Sequence, residues 1–399
     1  MTIAHSLFWI VSVLALGSLA ALVVVQFTAS LAIRRARRSA IAQRAQLPGV
    51  SILKPIKGAD VSLEANLAAF ARQDYPKFEL LLGIEDPSDP AIPVVRRFQR
   101  NHPALQVRVL IGAPAIGLNP KVNNLAFMSR QAKHELWLIS DADVVPEADY
   151  LRRMVSEWDG EKAGLVHSNL VGAGERTLGA SFESIHMNTF VASMIWGAAF
   201  ARHNCVIGKS VLFHKQLLQK MGGWRAVENV LAEDYMLGQL ARDHGVGVKL
   251  CMQPLEVRNE ERTLESFINR HVRWAQMRRR VSLKAYVCES TSNPIAWLFW
   301  VWVAASFGAP VSFGHLVSLS AIFVSVKCLS DQAMARSLRR GGLAFRQFLL
   351  IPVKDLLIAG VWFVGLFKRS VNWRGNIILI GPGSQLSRPA KESLAADPA

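Results

Sequence analysis

From Leu7 to Ile33 the chain carries no charged side chain, and no other feature restricts its fold as severely. About 20 apolar residues in a helix span the hydrocarbon of a bilayer, so this run predicts a membrane helix rather than an element of a water-soluble core. A cleavable signal peptide would need a basic segment before the run and an apolar stretch of only roughly 7–15 residues. The basic cluster instead follows the run, as Arg34, Arg35, Arg37 and Arg38. Cytoplasmic flanks collect Lys and Arg, so the N-terminus is expected outside and the chain after Arg34 in the cytoplasm.

A second apolar region, Ser290 to Val326, is free of Asp, Glu, Lys and Arg and is broken by Gly308, Pro310, Gly314 and His315. Its length predicts two membrane helices joined by a tight turn, with Trp297, Trp300 and Trp302 near one interface. The basic loop "RSLRRGG" then returns to the cytoplasm. Phe348 to Phe367 contains Pro352, Lys354 and Asp355, and either spans or dips in and returns. The net charge of +16 raises the question of nucleic acid. Many of the Lys and Arg residues flank apolar segments, however, where anionic headgroups attract them, so the membrane surface is the expected partner and nucleic acid is not. The cysteines, Cys205, Cys251, Cys288 and Cys328, show no metal-ligand spacing and are read as reduced thiols.

Between these regions strand and helix signals alternate. "VSILKPI", "FELLLGIED", "LQVRVLIG" and "ELWLIS" are strand candidates; "SLEANLAAFARQDY", after a cap at Ser62, "PAIPVVRRFQRNHP" and "NPKVNNLAFMSRQAK" are helix candidates. This alternation predicts an α/β fold with a parallel, doubly wound sheet, whose ligands bind at the C-terminal strand ends. The tail after about Ser384 reads as disordered.

Acidic residues gather at such ends. Asp86 follows the second strand, and Asp141 and Asp143 follow the fourth. Two carboxylates two residues apart at a strand end suit a hard divalent cation, although turn chemistry around Pro146 and Asp149 would also place Asp there. Glu233 and Asp234 open a helical pattern, where acids also stabilise a helix N-terminus. Further on, Arg270, Arg273 and Trp274 put two cations and an indole on one helical face, while Arg278, Arg279 and Arg280 read mainly as a headgroup-binding face.

Taken in order, "SILKPIKGAD", "EDPSDPAI", "NPKVNNL", "SDADVV", "CVIGKS", "AEDYMLG" and "RHVRW" resemble the ceramide glucosyltransferases and their relatives among inverting GT-A glycosyltransferases, over about residues 48 to 280. The resemblance implies a GT-A, Rossmann-like domain with N-terminal and C-terminal transmembrane helices. It implies that Asp86 reads the uracil and ribose of a UDP-sugar donor, and that Asp141 and Asp143 hold Mg²⁺ or Mn²⁺ across the diphosphate. Asp234 would be the general base toward the acceptor hydroxyl. Arg270, Arg273 and Trp274 match the Gln/Arg-x-x-Arg-Trp motif and would bind the donor diphosphate, for which the Arg fork is suited. Lys54 and Lys121 lie beside Pro in family motifs; donor binding is favoured only for Lys54. Phe190 to Ala201 is either a core helix or a lipid-facing acceptor groove, and neither His186 nor His203 is given a role.

The expected organisation is an N-terminal anchor and basic flank over residues 1–47, a cytoplasmic catalytic domain over 48–286, membrane helices over 290–369 and a tail over 370–399. The expected protein is integral to a bacterial cytoplasmic membrane and transfers glucose from UDP-glucose to a ceramide-like lipid hydroxyl, with inversion. Rivals are transfer to a hopanoid or diacylglycerol-type lipid, use of UDP-GlcNAc or UDP-galactose, a processive polysaccharide synthase, which would need more membrane helices, and a non-enzymatic membrane scaffold.

Overall fold

The computed structural model describes residues 3–39, 41, 46–160, 164–202, 205–308, 310–368, 370–373 and 376–388; His203 lies outside them. In chain order the helices are α1 (Ile3–Arg38), α2 (Leu63–Ala71), α3 (Ala91–Asn101), α4 (Pro120–Ser129), α5 (Tyr150–Glu157), α6 (Leu178–His186), α7 (Ala192–Phe200), α8 (Lys215–Lys220), α9 (Glu233–Asp243), α10 (Leu264–Val281), α11 (Leu283–Thr291), α12 (Pro294–Ser306), α13 (Phe313–Leu338) and α14 (Phe345–Phe367). The strands are β1 (Val50–Ile56), β2 (Phe78–Ile84), β3 (Val107–Ile111), β4 (Leu136–Ser140), β5 (Val144–Val145), β6 (Leu165–Ala173), β7 (Ser210–His214), β8 (Val248–Arg258), β9 (Ser370–Trp373), β10 (Asn376–Ile380) and β11 (Leu386–Ser387). Two compact units emerge. One comprises residues 1–35, 174–197 and 261–369, the other 36–173, 198–260 and 370–399. Thus α6 and α10, which fall within the catalytic span drawn from the sequence, and α11, which begins at its end, group with the apolar helices.

The second unit is an α/β domain around an eight-stranded sheet in the order β3-β2-β1-β4-β7-β6-β8-β5. The first four strands are mutually parallel, with Ile52 beside Leu80 and Leu138. Their near-continuous apolar sequence follows from burial of both sheet faces. Beyond β4 the sheet departs from the expected parallel pattern, because β7 runs antiparallel to both β4 and β6. Leu53, Leu81, Trp137, Phe213 and Trp224 share the main core of this unit.

Helix α4 packs close to β2. The Asn124 side chain donates to the Gly83 carbonyl at 2.8 Å, and a Cβ at Gly83 would meet Asn124 Oδ1 at 2.2 Å and Met128 Sδ at 2.7 Å. The tail is also bound. Strands β9 to β11 form a small antiparallel sheet, and Ser384 accepts Leu231 N–H at 2.9 Å while Leu386 N–H donates to Asn229 at 2.7 Å. Ser384 and Leu386 are buried, so order extends a few residues into the stretch expected to be disordered; its remainder, residues 389–399, lies outside the described residues.

Among the described residues of the first unit, three helices are long and apolar enough to cross a membrane: α1, α13 and α14. The expected pair of spans within residues 290–326 is not formed, since α12 has only 13 residues. Asn293 starts it afresh, its side chain accepting Ala296 N–H, and Pro294 suits the first helical position. Gln26 on α1 reaches Asp331 at 2.7 Å, and Ser30 reaches Met334 at 3.5 Å. Partners advance together along both helices, so α1 and α13 run parallel there, and the clusters "RRARR" and "RSLRRGG" follow the same end of the bundle.

Gly83→Ala should overfill the α4 contact and cost about 1–3 kcal/mol, the usual penalty for forcing atoms into a packed interior. A lowered denaturation midpoint checks this; an unchanged midpoint would mean that α4 can withdraw freely from β2.

Candidate active site

The end of β4 gathers charge because of how its neighbours pair. Ser140 lies opposite Ser210 of the antiparallel β7, and the next rung is Asp141 N–H to the Lys209 carbonyl at 3.1 Å. Lys209 therefore faces the two acids that leave β4. Its Nζ is 2.8 and 2.5 Å from the two oxygens of Asp143 and 3.2 Å from Asp141 Oδ2.

A second ammonium arrives from the start of α4. Asn119 caps that helix, its side chain accepting the N–H groups of Lys121 and Val122. Lys121 Nζ then lies 3.0 Å from Asp141 Oδ1 and 2.9 Å from Glu233 Oε1, and donates to the Gly208 carbonyl at 3.3 Å. Asn119 also donates to Val230 at 2.6 Å, tying α4 to the segment that the tail holds from its other side.

Asp234 follows Glu233 at the start of α9. Its oxygens accept Gly208 N–H at 2.5 Å and Tyr235 N–H at 2.8 Å. A Cβ at Gly208 would stand 2.7 Å from the Asp234 Cβ, so glycine is needed for this approach. Burial and the neighbouring Glu233 charge push the Asp234 carboxyl up to about 6, against the lowering effect of Lys121. Asp141 moves the other way: burial would raise it, but Lys121 and Lys209 hold it well below the usual carboxylate range. One carboxyl is thus firmly ionised while another titrates near neutrality, the kind of separation that marks distinct chemical roles.

Asp141, Asp143 and Asp234 are therefore brought together. Lys54, expected to touch donor phosphate, is fully buried. Its ammonium donates to the Asp141 carbonyl at 2.6 Å and lies 4.1 Å from the Phe70 ring centroid, with burial pulling it down to about 7; it supports the Asp141 backbone and presents nothing outward. Asp86 is exposed beyond β2, its carboxylate accepting the Ser88 N–H and hydroxyl at 2.8 and 2.7 Å.

Arg270, Arg273 and Trp274 lie on α10 in the other unit. Arg270 stacks 4.6 Å from the Trp274 ring centroid, and its Nε is 3.6 Å from the fully buried Glu183. His271 and Arg262 approach the same carboxylate at 3.2 and 3.8 Å. Burial works to raise the Glu183 carboxyl, but Arg270, His271 and Arg262 hold it well below its ordinary range. Arg278, read as a headgroup ligand, pairs with Glu289 at 2.8 Å. His186 stacks on Phe190 and is fully buried.

The sequence alone gives no role to Lys209 or Glu183 and leaves that of Lys121 open. Lys209 sits within "CVIGKS", but only the β4–β7 register shows what it faces.

The sequence matches glycosyl transferase family 21 over residues 13–386. The chain belongs to that family. Family 21 membership accords with the resemblance to ceramide glucosyltransferases, and the chain is a hexosyltransferase similar to them. It is 27% identical to ceramide glucosyltransferase 3 of Caenorhabditis elegans over 358 residues, covering 88% of this chain and 76% of that protein. With the ceramide glucosyltransferase of Komagataella phaffii it shares 28% identity over 309 residues, 62% of this chain and 60% of that one. A solved mannosyltransferase of Pyrobaculum calidifontis, in complex with GDP-Man and Mn²⁺, is 17% identical with a TM-score of 0.49, covering 90% and 99% of the two chains; a likeness of that degree carries no weight here.

Glu183→Ala would leave Arg270 and Arg262 without their buried counter-charge, and removing one partner of a buried pair costs about 3–5 kcal/mol. The family 21 protein carrying it should melt at a clearly lower temperature, whereas a melt matching the wild type would show that water already compensates these cations.

Proposed function

We propose that this family 21 enzyme transfers glucose from UDP-glucose to the hydroxyl of a ceramide-like membrane lipid, with inversion and with a divalent ion at Asp141 and Asp143. The observation that carries this reading is a carboxylate poised to accept a proton, Asp234, held near the firmly ionised strand-end Asp141. At neutral pH the Asp234 carboxyl, raised to about 6, is mostly ionised yet basic enough to take the acceptor proton. The Gly208 and Tyr235 amides orient it, and Lys121, with three acceptors around it, fixes the adjoining Asp141 and Glu233.

The donor set suits a hard cation. The Lys209 ammonium already stands where both strand-end carboxylates converge, which marks that point as one that stabilises positive charge. Among the described residues no group of three or more His, Cys, Asp or Glu side chains closes around a metal position; two carboxylates with the remaining ligands from phosphate and water is the usual pattern for Mg²⁺. When bound, such an ion neutralises charge on the departing diphosphate. Asp86 is the proposed reader of uracil and ribose, and Arg270, Arg273 and Trp274 of α10 are proposed as diphosphate ligands from the motif they match. Lys54 positions Asp141 from beneath.

The lipid assignment draws on the names of the relatives and on the segment Phe190–Ala201. Its first part is core, with Phe190 and Ile195 buried, whereas Phe200 is 76% exposed. Trp196 donates to Thr28 on the membrane helix α1 at 3.0 Å, which fits an acceptor path running along that helix. The basic flanks "RRARR" and "RSLRRGG" favour the cytoplasm as the side on which the donor arrives.

The test is product formation: purified enzyme in vesicles containing ceramide, supplied with labelled UDP-glucose and analysed by mass spectrometry, should yield labelled hexosylceramide. No labelled lipid with any acceptor would overturn the reading. Asp234→Asn should keep UDP binding while turnover falls by about 10²–10⁴. Because the base works only when ionised, wild-type kcat should fall as pH drops through about 6 and level off above it; a flat profile between pH 5 and 8 would remove Asp234 from that role.

A further inference from the structure

The cation already held at the strand-end carboxylates creates a conflict within this proposed donor site. Lys209 Nζ contacts both Asp141 and Asp143, the two residues expected to bind a divalent ion. An ammonium and a divalent ion cannot share these oxygens without strong like-charge repulsion, so one must yield. The two lysines of the site differ in how they are held. Lys121 is enclosed by Asp141, Glu233 and the Gly208 carbonyl, three acceptors on separate segments. Lys209 is fastened at its backbone, which belongs to the β4–β7 ladder, while among the described residues the partners of its head are the two carboxylates a metal would claim. A lysine head on a stem of four carbons can move several ångströms without disturbing its own Cα.

We propose that Lys209 is an exchangeable internal counter-ion: without donor its ammonium fills the cation position between Asp141 and Asp143, and entry of a divalent ion with a nucleoside diphosphate sends it to the diphosphate. The exchange conserves favourable pairing at each stage. In the resting site the ammonium offsets two adjacent carboxylates, whose mutual repulsion would otherwise open the end of β4. In the loaded site the metal takes over that task, and the displaced ammonium meets the negative charge the nucleotide has brought. Metal and nucleotide should therefore bind with positive coupling, each easing the entry of the other, as linkage requires.

This inference rests on the proposed donor site, so both are measured on the same full-length protein in detergent. Mn²⁺ binding is followed by electron paramagnetic resonance with and without UDP, for the wild type and for Lys209→Met, which keeps the stem and removes the charge. Without UDP, Lys209→Met should bind Mn²⁺ at least tenfold tighter than the wild type, since the competing cation is gone. The factor by which UDP tightens Mn²⁺ binding should shrink at least tenfold, since no ammonium remains to be transferred. Lys209→Gln is measured alongside, so that a folding defect in one variant leaves the comparison standing, and Lys209→Arg should behave like the wild type in direction. Mn²⁺ affinity unchanged or weakened in both neutral variants would overturn the exchange. A wild type that binds neither UDP nor Mn²⁺ would instead overturn the donor site itself.

Discussion

Pairing of opposite charges at the end of β4 is the interaction on which the rest of the α/β unit depends. Asp141 and Asp143 leave the strand two residues apart, and Glu233 with Asp234 closes on them from α9. Four carboxyls at such spacing repel one another unless cations intervene, and Lys121 and Lys209 supply them. Each cation depends on a separate long-range arrangement. Lys121 needs the Asn119 cap of α4, and Lys209 needs antiparallel pairing of β7 with β4. This end of the sheet is thus built by its electrostatics as much as by its hydrogen-bond ladder.

The same logic operates in the apolar unit, where the alternative to pairing is harsher. Lys327 contacts Asp331 and lies 2.8 Å from Asp355, which also pairs with Lys354. Gln26 of α1 donates to Asp331, and Asn293 donates to the Asp355 carbonyl at 2.8 Å. Two cations balance two anions within helices long enough to span a bilayer. Isolated charges in such helices are expensive, so this set fixes how α1, α13 and α14 meet. Breaking one member would strand the others.

Much of this was legible in the sequence, and the omissions have physical causes. Strands β1 to β4 followed from short apolar runs ending in turn residues, and Asp141 with Asp143 from their position after the fourth. Asp234 entered through resemblance, because an acid at a helix start has an equally good structural explanation. Lys209 stayed silent because its contact depends on pairing between segments some seventy residues apart, which no local pattern encodes. Donor binding is favoured for Lys54 in the sequence because it lies beside Pro55 in a family motif, whereas in the structure it is buried within β1 and bonds to the Asp141 carbonyl. The sequence after about Ser384 reads as disordered because no local pattern announces the bonds of Ser384 with Leu231 and Ala232, again a long-range partnership. The short α12 was misjudged because apolar length alone does not reveal a helix restarted at Asn293.

Binding of UDP to the purified chain, titrated calorimetrically with Mg²⁺ or Mn²⁺ and then with EDTA, tests most directly whether the charged end of β4 is a donor site. Binding should require the divalent ion and should be lost in the protein carrying Asp141→Asn together with Asp143→Asn, because neutral amides ligate hard cations far more weakly than carboxylates. Equal affinity with and without chelator, or in the double variant, would contradict it.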